Sequence, residues 1–294
     1  MTTAAVQSPA AALDPYATTA PRSRAAFLYG LNPLAKVLAP VPIMVLLVFS
    51  RGIPIPLAFS LFSLLLLLVG ARLRPRTLAI LLLGLPLAVA VLGVSFGVWI
   101  DPSRLDAAAG SDTVLLAIGD WRFTVAAYLA GLATALRITS LLLLSLLAGA
   151  TSTGPDLVRA LVQNLRVPYR IGYTALAAYR FVPRFGHELE VIRAAHRVRG
   201  TDSGRGPINA VRRILGYAIP LLASAIRHAE RVALAMDARA FGAHATRTER
   251  HLVPWRTRDT VFVVLFWAAS AGLYVWALSA GLTALTPDRT DIGA

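Results

Sequence analysis

"LAILLLGLPLAVAVLGVSFGVWI", residues 78–100, runs for 23 positions without one charged side chain. The hydrocarbon core of a bilayer is crossed by about 20 consecutive apolar residues in a helix, so this stretch reads as a transmembrane span. Its two flanks differ in charge. "ARLRPRT" (71–77) places Arg72, Arg74 and Arg76 before it, whereas residues 101–121 place Asp101, Asp106, Asp112 and Asp120 after it, against Arg104 alone. Cytoplasmic connections retain arginine and lysine, so the span is expected to start inside the cell and end outside.

Four further segments repeat the pattern, at about 33–50, 53–70, 123–150 and 260–283. The 294-residue chain is 56% hydrophobic and only 15% charged, the balance of a membrane protein rather than a soluble one. The predicted fold class is an all-α integral membrane protein with about five transmembrane helices and a cytoplasmic region of amphipathic helices. Residues 1–30, rich in Ala, Thr and Pro with no long apolar stretch, read as a disordered cytoplasmic tail and not as a secretory signal. Residues 31–150 hold helices one to four, 151–259 the cytoplasmic region, 260–283 the fifth helix and 284–294 an external tail. "TVLLAIGDWRF" (113–123) reads as a short strand-like excursion before the fourth span.

The net charge of +14 is almost wholly arginine, Lys36 being the only lysine. Such an excess fits nucleic acid, anionic lipid or acidic protein partners. Its distribution decides among them: residues 151–259 hold 18 arginines against 8 acids, in a region between two spans. Nucleic acid is therefore not expected as a partner, and anionic lipid headgroups are.

Within this region "TSTGPDLVRALVQNLRVP" (151–168) sets Leu157, Leu161 and Leu165 four residues apart and ends at Pro168, the pattern of a short helix lying at a membrane surface. A longer pattern covers 169–199, with a kink or break expected at Pro183, and "TDSGRGP" (201–207) reads as a turn. The next helix is expected over about 208–241, bent at Pro220. Val211, Leu215, Leu222 and Met236 share one of its faces with Ala225, Ala229 and Ala233, a small-residue stripe that permits close packing.

The two long helices end alike. "AAHRVRGTD" (194–202) sets Arg199 between Val198 and Gly200, and "ALAMDARAFG" (233–242) sets Arg239 between Ala238 and Ala240. Small neighbours let a guanidinium enter a narrow groove and form paired bonds with a carboxylate. Arginine near a helix C-terminus is also favoured by the helix dipole, by about 0.3–1 kcal/mol, and a polybasic surface binds lipid without any groove. The spacing alone leaves these readings open.

Three stretches together resemble a known family, the transmembrane T component of energy-coupling factor (ECF) transporters: "LNPLAKVL" (31–38), "STGPDLVRAL" (152–161) and "ALAMDARAFG", with "AHRVRGTD" similar to the family's earlier arginine motif. The resemblance implies a noncatalytic subunit of an ATP-driven importer. Its long coupling helices dock into two ABC-type ATPase subunits, while its membrane part holds a small substrate-binding S component that selects a vitamin or transition-metal ion. It implies Arg199 and Arg239 as the docking arginines, flanked by Val198, Gly200, Ala238 and Ala240. Val198 stands where the family has a small residue and Ala240 where it has Gly. The location implied is the cell inner (plasma) membrane, multi-pass, with the N-terminus cytoplasmic.

Other chemistry finds little support. Without cysteine there are no disulfides or thiolate sites. The five histidines form no zinc-protease spacing, and no glycine-rich loop with Lys-Ser/Thr is present to hold ATP, so no cofactor, metal or catalytic residue is assigned. Arg137 lies inside the fourth apolar segment, where a cation costs at least about 2.5–3.5 kcal/mol and faces protein or water; a structural partner within the bundle is expected. The alternatives are a conventional ABC permease subunit, which has one coupling helix, and an intramembrane transferase, which needs clustered carboxylates where the external aspartates are dispersed.

Overall fold

A computed structural model describes residues 27–50, 52–71, 73, 75–100, 113–118, 121–200, 206–244, 248–249 and 251–280. Residues 1–26 of the expected N-terminal tail, the C-terminal tail, the aspartate-rich 101–112 segment and most of the turn at 201–207 lie outside the described residues, whereas Phe27–Gly30, expected within the disordered tail, form a 3-10 turn with Leu28 buried. The chain divides into two compact units, Met1–Thr153 with Trp255–Ala294, and Gly154–Pro254.

The first unit is built of α1 (Pro33–Leu38), α2 (Val41–Phe49), α3 (Pro54–Gly70), α4 (Pro75–Ala79), α5 (Leu85–Trp99), α6 (Val125–Thr151) and α10 (Thr257–Ser279). A π-helical segment, Ile80–Gly84, joins α4 to α5 just before Pro86, so Pro75–Trp99 is one apolar helix. The wider turn accommodates a proline that has no N–H to donate. Pro75–Trp99, Val125–Thr151 and Thr257–Ser279 are long and apolar enough to cross a membrane, and Pro33–Phe49 and Pro54–Gly70 are shorter apolar stretches. The protein is thus an all-α membrane protein. Within its first apolar helix, Pro33–Phe49, the helical ladder passes through a turn at Ala39–Pro40. Pro40 and Pro42 each withhold an N–H from the helical ladder. The strand-like excursion is an antiparallel pair, β1 (Val114–Ile118) on β2 (Trp121–Thr124), leading into α6, whose first turn is capped by the Thr124 hydroxyl.

Close approach of α5 and α6 depends on glycine. A Cβ on Gly131 would lie 2.2 Å from the Gly93 carbonyl oxygen and 2.5 Å from the Gly97 nitrogen. The pair at 93 and 97 is therefore the small-xxx-small arrangement that brings helix backbones together in lipid. Between α3 and α6, the Ser60 and Ser140 hydroxyls lie 2.9 Å apart, and Ser140 also reaches the Pro56 carbonyl.

"LNPLAK" forms a polar knot in the apolar core. Lys36 is 1% exposed and donates to the carbonyls of Leu28, at 3.1 Å, and Thr151, at 2.8 Å. Asn32 caps α1 by accepting from the Leu34 N–H, and its own N–H donates to buried Asp259 at 2.8 Å. Asp259 also accepts from the Arg256 N–H, closing the first turn of α10. One short motif thus fastens the end of α6 and the start of α10, the two places where the chain leaves and re-enters this unit.

The second unit holds α7 (Gly154–Asn164), α8 (Tyr169–Val198) and α9 (Pro207–Asp237). Neither internal proline ends its helix: α8 continues through Pro183 and α9 through Pro220. A break expected at Pro183 does not occur, because a proline removes one bond of the ladder while several turns on either side keep theirs. α7 packs against α8 at buried Gly172, where a Cβ would fall 2.1 Å from Val162 Cγ2. α8 and α9 meet in antiparallel sense. The Phe181 ring lies 4.2 Å from the His228 ring, and His196 lies 5.1 Å from Tyr217, which Arg193 also covers at 5.9 Å.

The α9 face turned to α8 therefore carries Tyr217 and His228. Much of the periodic apolar face is open: Val211, Leu215, Leu222, Ala229 and Ala233 are all exposed. After α9 the chain returns to the start of α8. Arg170 donates to the Gly242 carbonyl, and the Tyr169 hydroxyl donates to the His244 carbonyl at 2.6 Å. Further on, the Gln163 amide donates to the His251 carbonyl and accepts from the Val253 N–H, pairing with that backbone as a strand would.

Candidate functional site: two arginine turns

Arg199 and Arg239 occupy the same place in two turns. Arg199 closes α8, its N–H donating to the Ala195 carbonyl, and the next residue, Gly200, has φ 67°. The Gly200 N–H donates to the Arg197 carbonyl at 3.1 Å. Arg239 follows α9, and the next residue, Ala240, has φ 53°. The Ala240 N–H donates to the Asp237 carbonyl at 2.9 Å, and the Phe241 N–H to the Met236 carbonyl at 3.0 Å. This is the hydrogen-bond pattern of a Schellman turn, in which a left-handed residue lets the chain leave the helix sharply. Each arginine thus stands on the last turn before an abrupt reversal.

The surroundings are open at both turns. Val198 is 90% exposed, and Arg199, Ala238, Arg239 and Ala240 are exposed as well. Among the described residues neither guanidinium holds a hydrogen bond or an ion pair, unlike Arg159, paired with Asp156, and Arg184, beside Glu188. The antiparallel contacts put Arg199 at the far end of α8 and Arg239 near its start. Thirty residues of α8 separate those ends, a length of about 45 Å at about 1.5 Å per residue. The structure therefore does not gather the two arginines into one pocket.

A sharp reversal after an arginine, with small or solvent-facing neighbours, lets the guanidinium project beyond the helix end. There it can offer its planar fork to a partner carboxylate. The opposite end of the helix dipole adds a favourable cation site at each tip. Of the departures from the family pattern, Val198 lies fully in solvent and leaves the backbone undisturbed. Ala240 sits at the left-handed position where glycine is free of penalty.

Arg137 is a member of the membrane unit, distant in sequence from both turns. One of its terminal nitrogens donates to the Ser50 carbonyl at the end of α2, and its buried Nε has no partner among the described residues. Among the described residues no group of three or more His, Asp or Glu side chains is placed to hold a metal ion. His228 titrates below its ordinary range, first because it is desolvated on the α8–α9 face and then because Arg184 and Arg231 repel its charged form.

Sequence reasoning did not foresee the roles of Lys36 and Asp259, nor the close approach of Gly93 and Gly97 to Gly131. The signal for the last was present as two glycines four apart in an apolar helix. For Asp259 no local pattern exists, since its partner Asn32 lies 227 residues away.

Comparison with known proteins bears on the same motifs. The family described as "CbiQ: Cobalt transport protein" matches residues 25–250, a range that includes Asn32, Lys36 and both arginine turns. Proteins named energy-coupling factor transporter transmembrane protein EcfT are similar over shorter ranges. That of Streptococcus equi is 34% identical over 128 residues, covering 42% of this chain and 47% of the relative. That of Thermotoga maritima is 30% identical over 166 residues, 54% and 59% respectively. That of Streptococcus thermophilus is 31% identical over 169 residues, 55% and 64%. The chain spans about half the length of these curated relatives, from 47% to 64%.

Proposed function

The chain belongs to the CbiQ cobalt transport protein family, and on that premise we propose that it is the membrane scaffold and energy-coupling subunit of an ECF-type importer. Two ABC-type ATPase subunits dock at Arg199 and Arg239, one at each turn, and the membrane unit holds a separate S component that binds the vitamin or metal ion. The subunit itself is noncatalytic. The observation that carries this reading is the pair of arginine turns with one backbone geometry at opposite ends of a long helical hairpin. A conventional permease subunit needs a single such contact.

Energy passes along α8 and α9. Closure of the ATPases displaces the two tips, and stiff helices about 45 Å long at about 1.5 Å per residue transmit that displacement. The Lys36 knot holds the ends of α6 and α10, so movement of the second unit loads the membrane helices through two fixed points. In this reading the open apolar face of α9 meets the S component, the surplus arginines meet anionic headgroups, and the N-terminus is cytoplasmic in the plasma membrane.

Purified chain reconstituted alone is expected to hydrolyse no ATP, and to gain ATPase activity only with its two partner subunits. Stoichiometric hydrolysis by the chain alone would overturn the noncatalytic assignment. Impermeant labelling of single cysteines is expected to reach Asp112→Cys from outside intact cells and to leave Ser203→Cys unlabelled; the reverse pattern inverts the topology.

A further inference from the structure

The two arginine turns share a backbone and differ in what lies beside them. Arg239 lines a cavity of about 860 Å³ in the second unit, and Arg199 does not. The cavity is bounded by α8, α9 and the segment that follows α9. Among the described residues Arg159, Arg180, Arg184 and Arg239 line it, against one carboxylate, that of Glu249.

Most of the neighbours are already committed. Glu249 accepts from the Tyr173 hydroxyl, and Arg159 pairs with Asp156 at 2.8 Å. Arg184 lies 3.7 Å from Glu188, beyond hydrogen-bond length, with both side chains partly in solvent. Arg180 and Arg239 hold no hydrogen bond or ion pair among the described residues. Arg180 and Arg184 are one helical turn apart and so project from one face of α8. The cavity therefore has a surplus of positive charge and guanidinium forks with free N–H groups. It also has an apolar side, formed by Phe181, Val232 and Met236.

We propose that this cavity binds a phosphate-bearing ligand, with Arg180, Arg184 and Arg239 donating to the phosphate oxygens and Phe181, Val232 and Met236 receiving its apolar part. Guanidinium donates two parallel N–H bonds to a phosphate, and a dianion satisfies several such forks where a single carboxylate does not. A lipid headgroup and a free phosphoester share this chemistry. The proposal stands apart from the docking reading and bears on it, because a ligand in the cavity occupies the Arg239 tip and leaves Arg199 untouched.

Full-length chain in a neutral, phosphate-free detergent is titrated calorimetrically with dihexanoyl phosphatidic acid, dihexanoyl phosphatidylcholine and inorganic pyrophosphate. Phosphatidic acid is expected to bind at least tenfold more tightly than phosphatidylcholine. Pyrophosphate binding as tightly as phosphatidic acid identifies a free phosphoester as the ligand; weaker binding identifies a lipid. The double variant Arg180→Gln with Arg184→Gln is expected to lose at least tenfold in affinity, whereas Arg213→Gln, away from the cavity, is expected to match the parent. Both replaced arginines are exposed on α8, so the helix is retained, and histidine NMR of His228 reports the site directly: its signal moves on ligand addition in the parent and stays fixed in the double variant. Absence of binding to both phosphates, equal binding of the two lipids, or undiminished affinity in the double variant overturns the proposal. No ATPase is present in these titrations, so their failure leaves the docking assignment standing, and failure of docking leaves them unchanged.

Discussion

At Ala240 the backbone is left-handed, φ 53°, a conformation that costs an L-residue with a Cβ roughly 1–2 kcal/mol. Gly200 adopts the equivalent φ of 67° at the other turn without that cost. Ala240→Gly removes the penalty and raises the entropy of the unfolded chain, so a net stabilisation of about 0.5–1 kcal/mol is expected, measured as a higher thermal midpoint in detergent. A lower midpoint would mean that the alanine methyl makes a compensating contact. The sequence singled the arginines out through Gly200, Ala238 and Ala240 beside them, but spacing alone left their role open and only the family resemblance assigned one; the left-handed turn was legible only at Gly200, since alanine gives no hint of positive φ. His228 makes a second prediction at this scale. Its folded pKa lies below the ordinary value of 6.5, through desolvation and then Arg184 and Arg231, with Glu188 opposing. The unfolded state therefore binds the proton more readily, and this contribution lowers stability as pH falls through the unfolded value. His228→Gln is expected to flatten the pH dependence of stability between about pH 5 and 7; an unchanged slope would assign that dependence to other groups.

Among elements, α6 is the organising helix of the membrane unit, and its two glycines give opposite predictions. A Cβ at Gly131 meets the Gly93 carbonyl oxygen at 2.2 Å, whereas one at Gly149 meets nothing within 4 Å. Gly131→Ala must push α5 away and is expected to cost about 1–3 kcal/mol, while Gly149→Ala is expected to gain roughly 0.5–1 kcal/mol from helix propensity. Thermal unfolding of the pair distinguishes them, and equal effects would refute the close packing. The Lys36 knot joins α1, α6 and α10. Lys36→Met keeps the bulk but strands two buried carbonyls, those of Leu28 and Thr151, for an expected loss of about 2–4 kcal/mol. A shift below 1 kcal/mol by the same unfolding assay would place water in the knot instead of the lysine's bonds. These contacts explain how far the sequence could be read. Apolar length located the membrane helices, because a bilayer imposes that length, and residues 113–123 read as a strand-like excursion where the β1–β2 pair lies. Which helices touch, and through which polar atoms, depended on residues up to 227 apart. Proline is ambiguous at this scale: Pro183 allows a kink or a break, and α8 continues through it.

For the whole molecule, hydropathy and charge divide the labour. Apolar helices make up the membrane unit, and residues 151–259 concentrate 18 of the 29 Lys and Arg residues. Some of those cations are matched within the chain, as Arg159 is by Asp156 and Arg184 by Glu188. Arg199 and Arg239 differ in combining an exposed guanidinium, no partner among the described residues and a sharp turn directly behind. The central claim is that these two arginines, and not the general charge, hold the ATPases. Removing one arginine from a desolvated pair with a carboxylate typically costs about 2–5 kcal/mol, largely through the acid left unpaired, which weakens binding by at least about thirtyfold. The direct measurement is the amount of each ATPase that copurifies with the tagged chain and its S component, for the parent, Arg199→Ala, Arg239→Ala, the double variant and Arg213→Ala as control. Each single variant is expected to lose the ATPase at its own tip, the double variant to lose both while retaining the S component, and the control to match the parent. Normal ATPase association in both single variants and in the double variant would contradict the account and leave the two arginines as cations stabilising the ends of their helices.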